Sequence, residues 1–256
     1  MTIALLGKFG SRAQLIRNPR SNLTCASTAP SMSSSNLSYP KPLVSEPSSP
    51  HSGTVIMLHG LGDTGSGWSD IAADFQSQLK HVKFIFPTAP QRSISLNMGM
   101  KMTGWYDIAS LEDINQKEDA SGLRESQRYV EELISKEVAA GIPSNRVVVA
   151  GFSQGGAIAL LMLRSHLKLA GVVGLSTYLP LRDQSPVVSE ANLHTPVLMC
   201  HGDSDMVVRH EYGRQSFDQL QKLGVPADFK TYGGMGHSAC PAELREFVEF
   251  LKRQLK

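Results

Sequence analysis

Gly151-Phe152-Ser153-Gln154-Gly155 sets a serine between two glycines, after the run Val147-Val148-Val149-Ala150 and before the apolar stretch Ala157 to Leu163. A serine attacks an acyl carbon when a sharp strand-to-helix turn lifts its hydroxyl above a sheet edge, and the strained backbone of that turn favours glycine on either side. The Gly-x-Ser-x-Gly pattern alone arises by chance in roughly one chain in ten of this length. The β-branched run before it and the apolar run after it are what a strand, an elbow and a buried helix require. Ser153 is therefore the candidate nucleophile. The Gln154 amide, at the helix N-terminus, can face the oxyanion that forms on attack.

A serine hydroxyl needs an imidazole to take its proton and a carboxylate to fix the imidazole tautomer. After such an elbow the partners follow in the order Ser, acid, His. Of eight histidines, His51, His59 and His81 precede the elbow, and His166 lies on the helix after it. His194, His201 and His210 come too early to follow an acid with a further strand and helix between. His237, in Gly233-Gly234-Met235-Gly236-His237-Ser238, follows the predicted strand Asp228 to Tyr232 and precedes the last helix. The apolar run Val197 to Cys200 ends in His201-Gly202-Asp203-Ser204-Asp205. Both aspartates sit at the carboxyl end of a strand, where catalytic groups of open α/β sheets gather. Asp203 can equally cap its own turn, and Asp205 lies further out toward His237.

Leu58-His59-Gly60-Leu61-Gly62-Asp63-Thr64-Gly65 follows the strand Val55 to Leu58. Such a loop can bring a second backbone N–H, that of Leu61, to the oxyanion. No Gly-Lys-Ser or Gly-Lys-Thr supports a phosphate-binding reading. Leu96-Asn97-Met98-Gly99-Met100-Lys101-Met102 leads to Gly104-Trp105-Tyr106-Asp107. An extended backbone puts Leu96, Met98, Met100 and Met102 on one face. Methionine makes a soft surface suited to flexible apolar chains, so these four and Trp105 form an expected acyl-binding groove. An edge segment packed on the core is the alternative.

The elements that must position these groups follow from the pattern. Val55 to Leu58, Val82 to Phe86, Val147 to Ala150, Val172 to Leu175 and Val197 to Cys200 are short apolar strands closed by Gly, Pro or Ser. They belong in a parallel sheet covered on both faces. Leu123, Val130, Leu133, Ile134 and Val138 recur at helical spacing, Ala157 to Leu167 reads as a buried helix, and Glu243 to Leu255 is amphipathic. Strands alternating with helices make an α/β doubly wound domain, expected over 53–256.

Residues 1–52 differ. Ser31 to Ser52 is dominated by Ser and Pro, which predicts a disordered extension. Met1 to Arg20 is Arg-bearing and acid-free, the composition of an organelle transit peptide, with an untargeted extension as the alternative. After residue 52, acids outnumber bases by 22 to 20, so nucleic acid is not an expected partner. No run is long enough to span a bilayer. Cys25, Cys200 and Cys240 form no zinc spacing and no obvious pair. Reduced thiols suit the cytoplasm, or a plastid or mitochondrion if the extension is a transit peptide.

The chain resembles the acyl-protein thioesterase (lysophospholipase-like carboxylesterase) family from about Thr54 to the C-terminus. The likeness rests on the Leu58–Gly65 run, Leu96-Asn97-Met98 through Trp105-Tyr106-Asp107, Gly141-Ile142-Pro143-Ser144-Asn145-Arg146, Gly151 to Gly156, the His201–Asp205 run and Tyr232 to Ser238. It implies an α/β-hydrolase fold with no large cap, a triad of Ser153, Asp205 and His237, and an oxyanion hole from the N–H groups of Leu61 and Gln154. It further implies removal of fatty acyl groups from protein cysteines, with lysophospholipids or small esters as further substrates. Transient contact with a membrane surface and no metal or cofactor belong to the same expectation. A general carboxylesterase and a catalytically dead binding scaffold are the competing readings. The chain departs from the family at Met206 and Arg209, where prolines are usual, and in its N-terminal extension.

Overall fold

The computed structural model describes residues 37–112 and 118–256. The Arg-bearing start and Cys25 lie outside the described residues. Short strand β1 (Leu43–Ser45) is followed by β2 (Gly53–Leu58), two short helices α1 (Ser66–Ser69) and α2 (Ile71–Gln76), and β3 (Val82–Phe86). A hairpin of β4 (Gln91–Ile94) and β5 (Met100–Thr103) leads to α3 (Ala120–Ala139), β6 (Val147–Phe152), α4 (Gln154–Leu161) and β7 (Gly171–Leu175). The chain closes with β8 (Val197–Gly202), α5 (His210–Lys222), β9 (Ala227–Tyr232) and α6 (Pro241–Gln254). Seven strands form one sheet in the order β1-β3-β2-β6-β7-β8-β9, parallel except for β1.

Period-two alternation divides the core. Ile56, Leu58, Val147, Val149, Val197 and Met199 face a cluster with α3, α4 and α5. Val55, Met57, Val148, Ala150, Leu198 and Cys200 face the other cluster, which holds Phe75, Phe247 and Leu251 of α2 and α6. Both faces are covered, so the central strands are apolar throughout. The helix α4 is buried on every side, as a helix between the elbow and the sheet must be. In α3 the predicted stripe is buried at Leu123, Val130, Leu133 and Ile134, but Val138 is exposed. It falls on the outer side of the last turn, whose sheet-facing residue is Glu137, bonded to Thr54 and Lys83.

The expectation of disorder through residue 52 does not hold for residues 37–52. Val44 pairs with Ile85, and the Tyr39 ring stacks on that of Tyr129 at 3.7 Å. Few apolar residues suffice here, because the backbone of β1 pairs with an edge already built by β3. The folded unit runs from Leu37 to Lys256.

Helix α6 begins just after the loop that carries His237. Its Glu243 is fully buried, and neither carboxyl oxygen has a hydrogen-bond partner among the described residues. Burial pushes this carboxyl up to about 7 from its ordinary 4.5. The folded state therefore binds a proton that the unfolded chain releases. That stability is full below about pH 4.5 and is lost as pH rises through 7. Glu243→Gln, which cannot ionise, is expected to flatten the pH dependence of denaturant unfolding between pH 5 and 8, with a gain at pH 8 of up to about 3 kcal/mol. Parallel pH profiles for wild type and variant would refute this.

Candidate active site

Strand β6 delivers Ser153 into a backbone conformation of φ 53° and ψ −119°. A non-glycine residue there is strained by about 1–3 kcal/mol and is held by its surroundings. The Ser153 N–H donates to Leu175 O at 2.8 Å, and the Thr177 hydroxyl donates to Ser153 O at 2.7 Å. The flanking glycines are needed for close approach. A Cβ on Gly151 would lie 2.2 Å from Gly155 O, and one on Gly155 would lie 2.4 Å from Leu58 O. The elbow thus closes only because strand, helix and the 58–65 loop touch through backbone.

The chain brings Ser153, His237 and Asp205 together from three elements. His237 Nε2 stands 2.9 Å from Ser153 Oγ, and His237 Nδ1 stands 2.7 Å from Asp205 Oδ2. The Val207 and Val208 amides each donate to Asp205 Oδ1 at 2.9 Å. Burial opposes ionisation of Asp205, but the His201 and His237 side chains outweigh it and hold the carboxyl well below the usual range. The structure also separates the two aspartates. Asp203 Oδ1 accepts from Gly234 N at 2.7 Å and from the Ser204 hydroxyl at 3.0 Å. It therefore pins the histidine loop to the acid loop and does not touch His237. A second tie is Ser204 N to Met235 O, 3.1 Å, and Gly202 lies so close that a Cβ would sit 2.0 Å from Met235 O. The ring of Phe152 packs on that of His237 at 4.8 Å.

Leu61 and Gln154 border the same point. A Cβ on Gly60 would lie 3.5 Å from Ser153 Cβ, and Gln154 opens α4, where the first amides have no helical acceptor. His59 steadies the loop as a fixed tautomer. Its Nε2 accepts from Ala89 N at 3.0 Å, which leaves the hydrogen on Nδ1 to bond Gly60 O at 2.7 Å. Burial lowers its pKa, favouring this uncharged form.

A cavity of about 460 Å³ opens on Ser153 and His237. Leu96, Ile108, Leu111 and Val207 form an apolar wall, while Asp63, Trp68 and Phe152 line other parts of it. Of the expected acyl-binding residues only Leu96 reaches the cavity lining. The alternation fails because the segment is not one strand. Leu96 lies in a single 3₁₀ turn, Met98 takes a left-handed φ of 54°, and the chain reverses before β5. Met98 and Met100 are 92 % and 57 % exposed. The sulfur of Met102 accepts from Asn97 Nδ2 at 3.2 Å. Trp105 is fully buried, its Nε1 donating to His59 O at 2.8 Å, so it braces the 58–65 loop from behind. Ile108, Leu111, Trp68 and Val207 were not singled out from sequence. Trp68 lies in the four-residue helix α1 and the other three on irregular chain, all too short or irregular for a period to mark a lining residue.

The match to the phospholipase/carboxylesterase family model spans residues 40–255. This chain belongs to that family. Among its relatives is an acyl-protein thioesterase 1 of Gibberella zeae, 46% identical over 84% of this chain and 95% of the relative. An acyl-protein thioesterase 1 homolog 1 of Dictyostelium discoideum is 42% identical over 80% and 92%. Among solved structures, acyl-protein thioesterase 2 of Zea mays superposes with a TM-score of 0.74 at 33% identity, covering 85% of this chain and 100% of that one. The enzyme is a family hydrolase of α/β fold.

Gln154 does more than present an amide. Its Oε1 accepts from Trp105 N at 2.8 Å and its Nε2 donates to Tyr106 O at 2.7 Å, both buried. Gln154→Ala strands both groups, at about 1–3 kcal/mol each. A thermal melt of the hydrolase variant should drop by several degrees, with hydrolysis lowered. An unchanged melt would mean that water replaces the amide without loss.

Proposed function

We propose that this chain cleaves fatty-acyl thioesters from S-acylated protein cysteines, with lysophospholipids and small esters as lesser substrates. The observation that carries the reading is a Ser153–His237–Asp205 hydrogen-bond relay opening directly onto an apolar cavity. The names of its relatives support the thioester as the bond attacked.

In the proposed cycle His237 Nε2 takes the Ser153 proton as Oγ adds to the acyl carbonyl. The Leu61 and Gln154 N–H groups receive the oxyanion. The oxyanion collapses, the carbon–sulfur bond breaks, and the imidazolium protonates the departing thiolate. Water then gives a proton to His237 and attacks the acyl-serine, and fatty acid and free Ser153 are released. Asp205 remains a carboxylate throughout and stabilises the imidazolium. Deacylation limits turnover for thioesters, because thiolates leave readily.

A panel of thioesters and oxoesters graded in acyl length tests this. Ser153→Ala should lose turnover and fluorophosphonate labelling. Wild-type kcat/KM should climb with chain length, by up to about 0.8 kcal/mol for each buried methylene. Leu111→Asp should flatten that climb, whereas Met98→Ser should not. A profile favouring short aryl esters over long-chain acyl peptides would make the enzyme a general carboxylesterase.

The unpaired thiols of Cys200 and Cys240 support a cytoplasmic location, with an organelle address as the alternative if the acid-free, Arg-bearing start is a transit peptide. A reporter fused to residues 1–52 should then enter a plastid or mitochondrion, and a reporter spread through the cytoplasm would remove that alternative.

A further inference from the structure

The carboxylate of Asp205 is approached from both sides. His237 Nδ1 lies 2.7 Å from Oδ2, and His201 Nε2 faces the same oxygen at 3.4 Å from the other side. His201 lies in β8 and is buried. Its Nε2 stands 2.8 Å from Val208 O, a carbonyl that can only accept, so Nε2 carries a hydrogen. That hydrogen bonds Val208 O and also turns its positive end toward Asp205. At 3.4 Å this is a charge–dipole contact and not a full hydrogen bond, yet it acts in a buried setting where such contacts are strong.

The rest of the ring is equally constrained. Nδ1 is buried and meets no partner among the described residues. A Cβ on Gly213 would come within 2.4 Å of it, so α5 rests directly on the imidazole. A second hydrogen on Nδ1 would have no acceptor there. Besides Asp205, the ionisable neighbour across the ring is His210, edge-on at 5.6 Å; its pKa is lowered by its own burial.

Two amides hold Asp205 Oδ1. At Oδ2 the His201 N–H is the second donor beside His237, and the one that comes from the β8 side. We propose that His201 is a positioning residue for the hydrolytic reaction: an imidazole, seated against Gly213 of α5, that holds the Asp205 carboxylate where His237 meets it. The inference rests on the triad reading above. It makes α5 part of the machinery, although no residue of that helix lines the cavity.

The test compares full-length wild type, His201→Phe, His201→Gln and Gly213→Ala, with turnover counted per active site titrated by a fluorophosphonate. Phe fills the ring's volume without an N–H, whereas the Gln amide can present one near Nε2. His201→Phe should lower kcat about threefold to tenfold, less than the loss of a full hydrogen bond to a charged group would, with KM moving less than about twofold. The acid limb of kcat/KM should move to lower pH, since a loosened carboxylate stabilises the His237 imidazolium less. Gln should recover most of the rate, and Gly213→Ala, which displaces the ring and removes no titratable group, should lower kcat in the same sense.

The downfield proton resonance of His237 Nδ1–H reads the Asp205 contact without turnover. It should weaken in Phe and Gly213→Ala and return in Gln. Wild-type kcat per titrated site and an intact downfield signal in His201→Phe, with only a lower melting temperature, overturn the proposal. A wild type that turns over no ester or thioester, but whose downfield signal still depends on His201, sinks the hydrolase reading and sustains the placement of Asp205.

Discussion

Ser153 must leave a buried strand and enter a buried helix within one residue, and the backbone conformation this demands is one that serine resists. The strain is tolerable because everything around it is rigid. Leu175 and Thr177 hold its peptide groups from the end of β7, and the glycines at 151 and 155 let strand, helix and the oxyanion loop meet backbone to backbone. The nucleophile's exposure is therefore a property of the packed sheet. In a free peptide the same residues would relax.

The remaining groups are arranged by the same sheet edge. β6, β8 and β9 end on one edge of the sheet, with β7 between the first two, so Ser153, Asp205 and His237 arrive from carboxyl ends of the same sheet. Backbone ties between the acid loop and the histidine loop, through Asp203, Ser204 and Gly202, set the distance between them. On the oxyanion side, His59, Trp105 and Gln154 form a buried polar scaffold in which every bond has an assigned donor and acceptor. Burial makes such a scaffold stiff, since breaking any member leaves a group with no water to replace it.

The substrate face follows a different logic. The cavity wall is drawn from Leu96, Ile108, Leu111 and Val207, four residues on irregular chain. The methionines of the hairpin point elsewhere: Met98 and Met100 stand out in solvent. Ser153, Asp205 and His237 sit just beyond the ends of strands and are tied there through backbone, whereas the cavity wall is drawn from segments further from the sheet, a division that lets one fold keep its chemistry while its substrate range varies.

Sequence by itself determined the strands, the buried helix after the elbow and the candidate nucleophile, because each leaves a local mark: β-branched runs, all-round apolarity, glycines where backbones touch. It also ordered base after acid, which singles out His237 once the last strand is recognised. It separated Asp203 and Asp205 only weakly, by the reach of Asp205 toward His237, and the resemblance added to that preference. The tertiary structure distinguishes them, because the difference lies in which carboxylate turns inward to His237 and which outward to the Gly234 amide. β1, the acyl wall and His201's place behind Asp205 were likewise decided only in three dimensions. Each depends on a partner distant in sequence, and neither periodicity nor spacing records what a loop or an edge will touch once the sheet has formed.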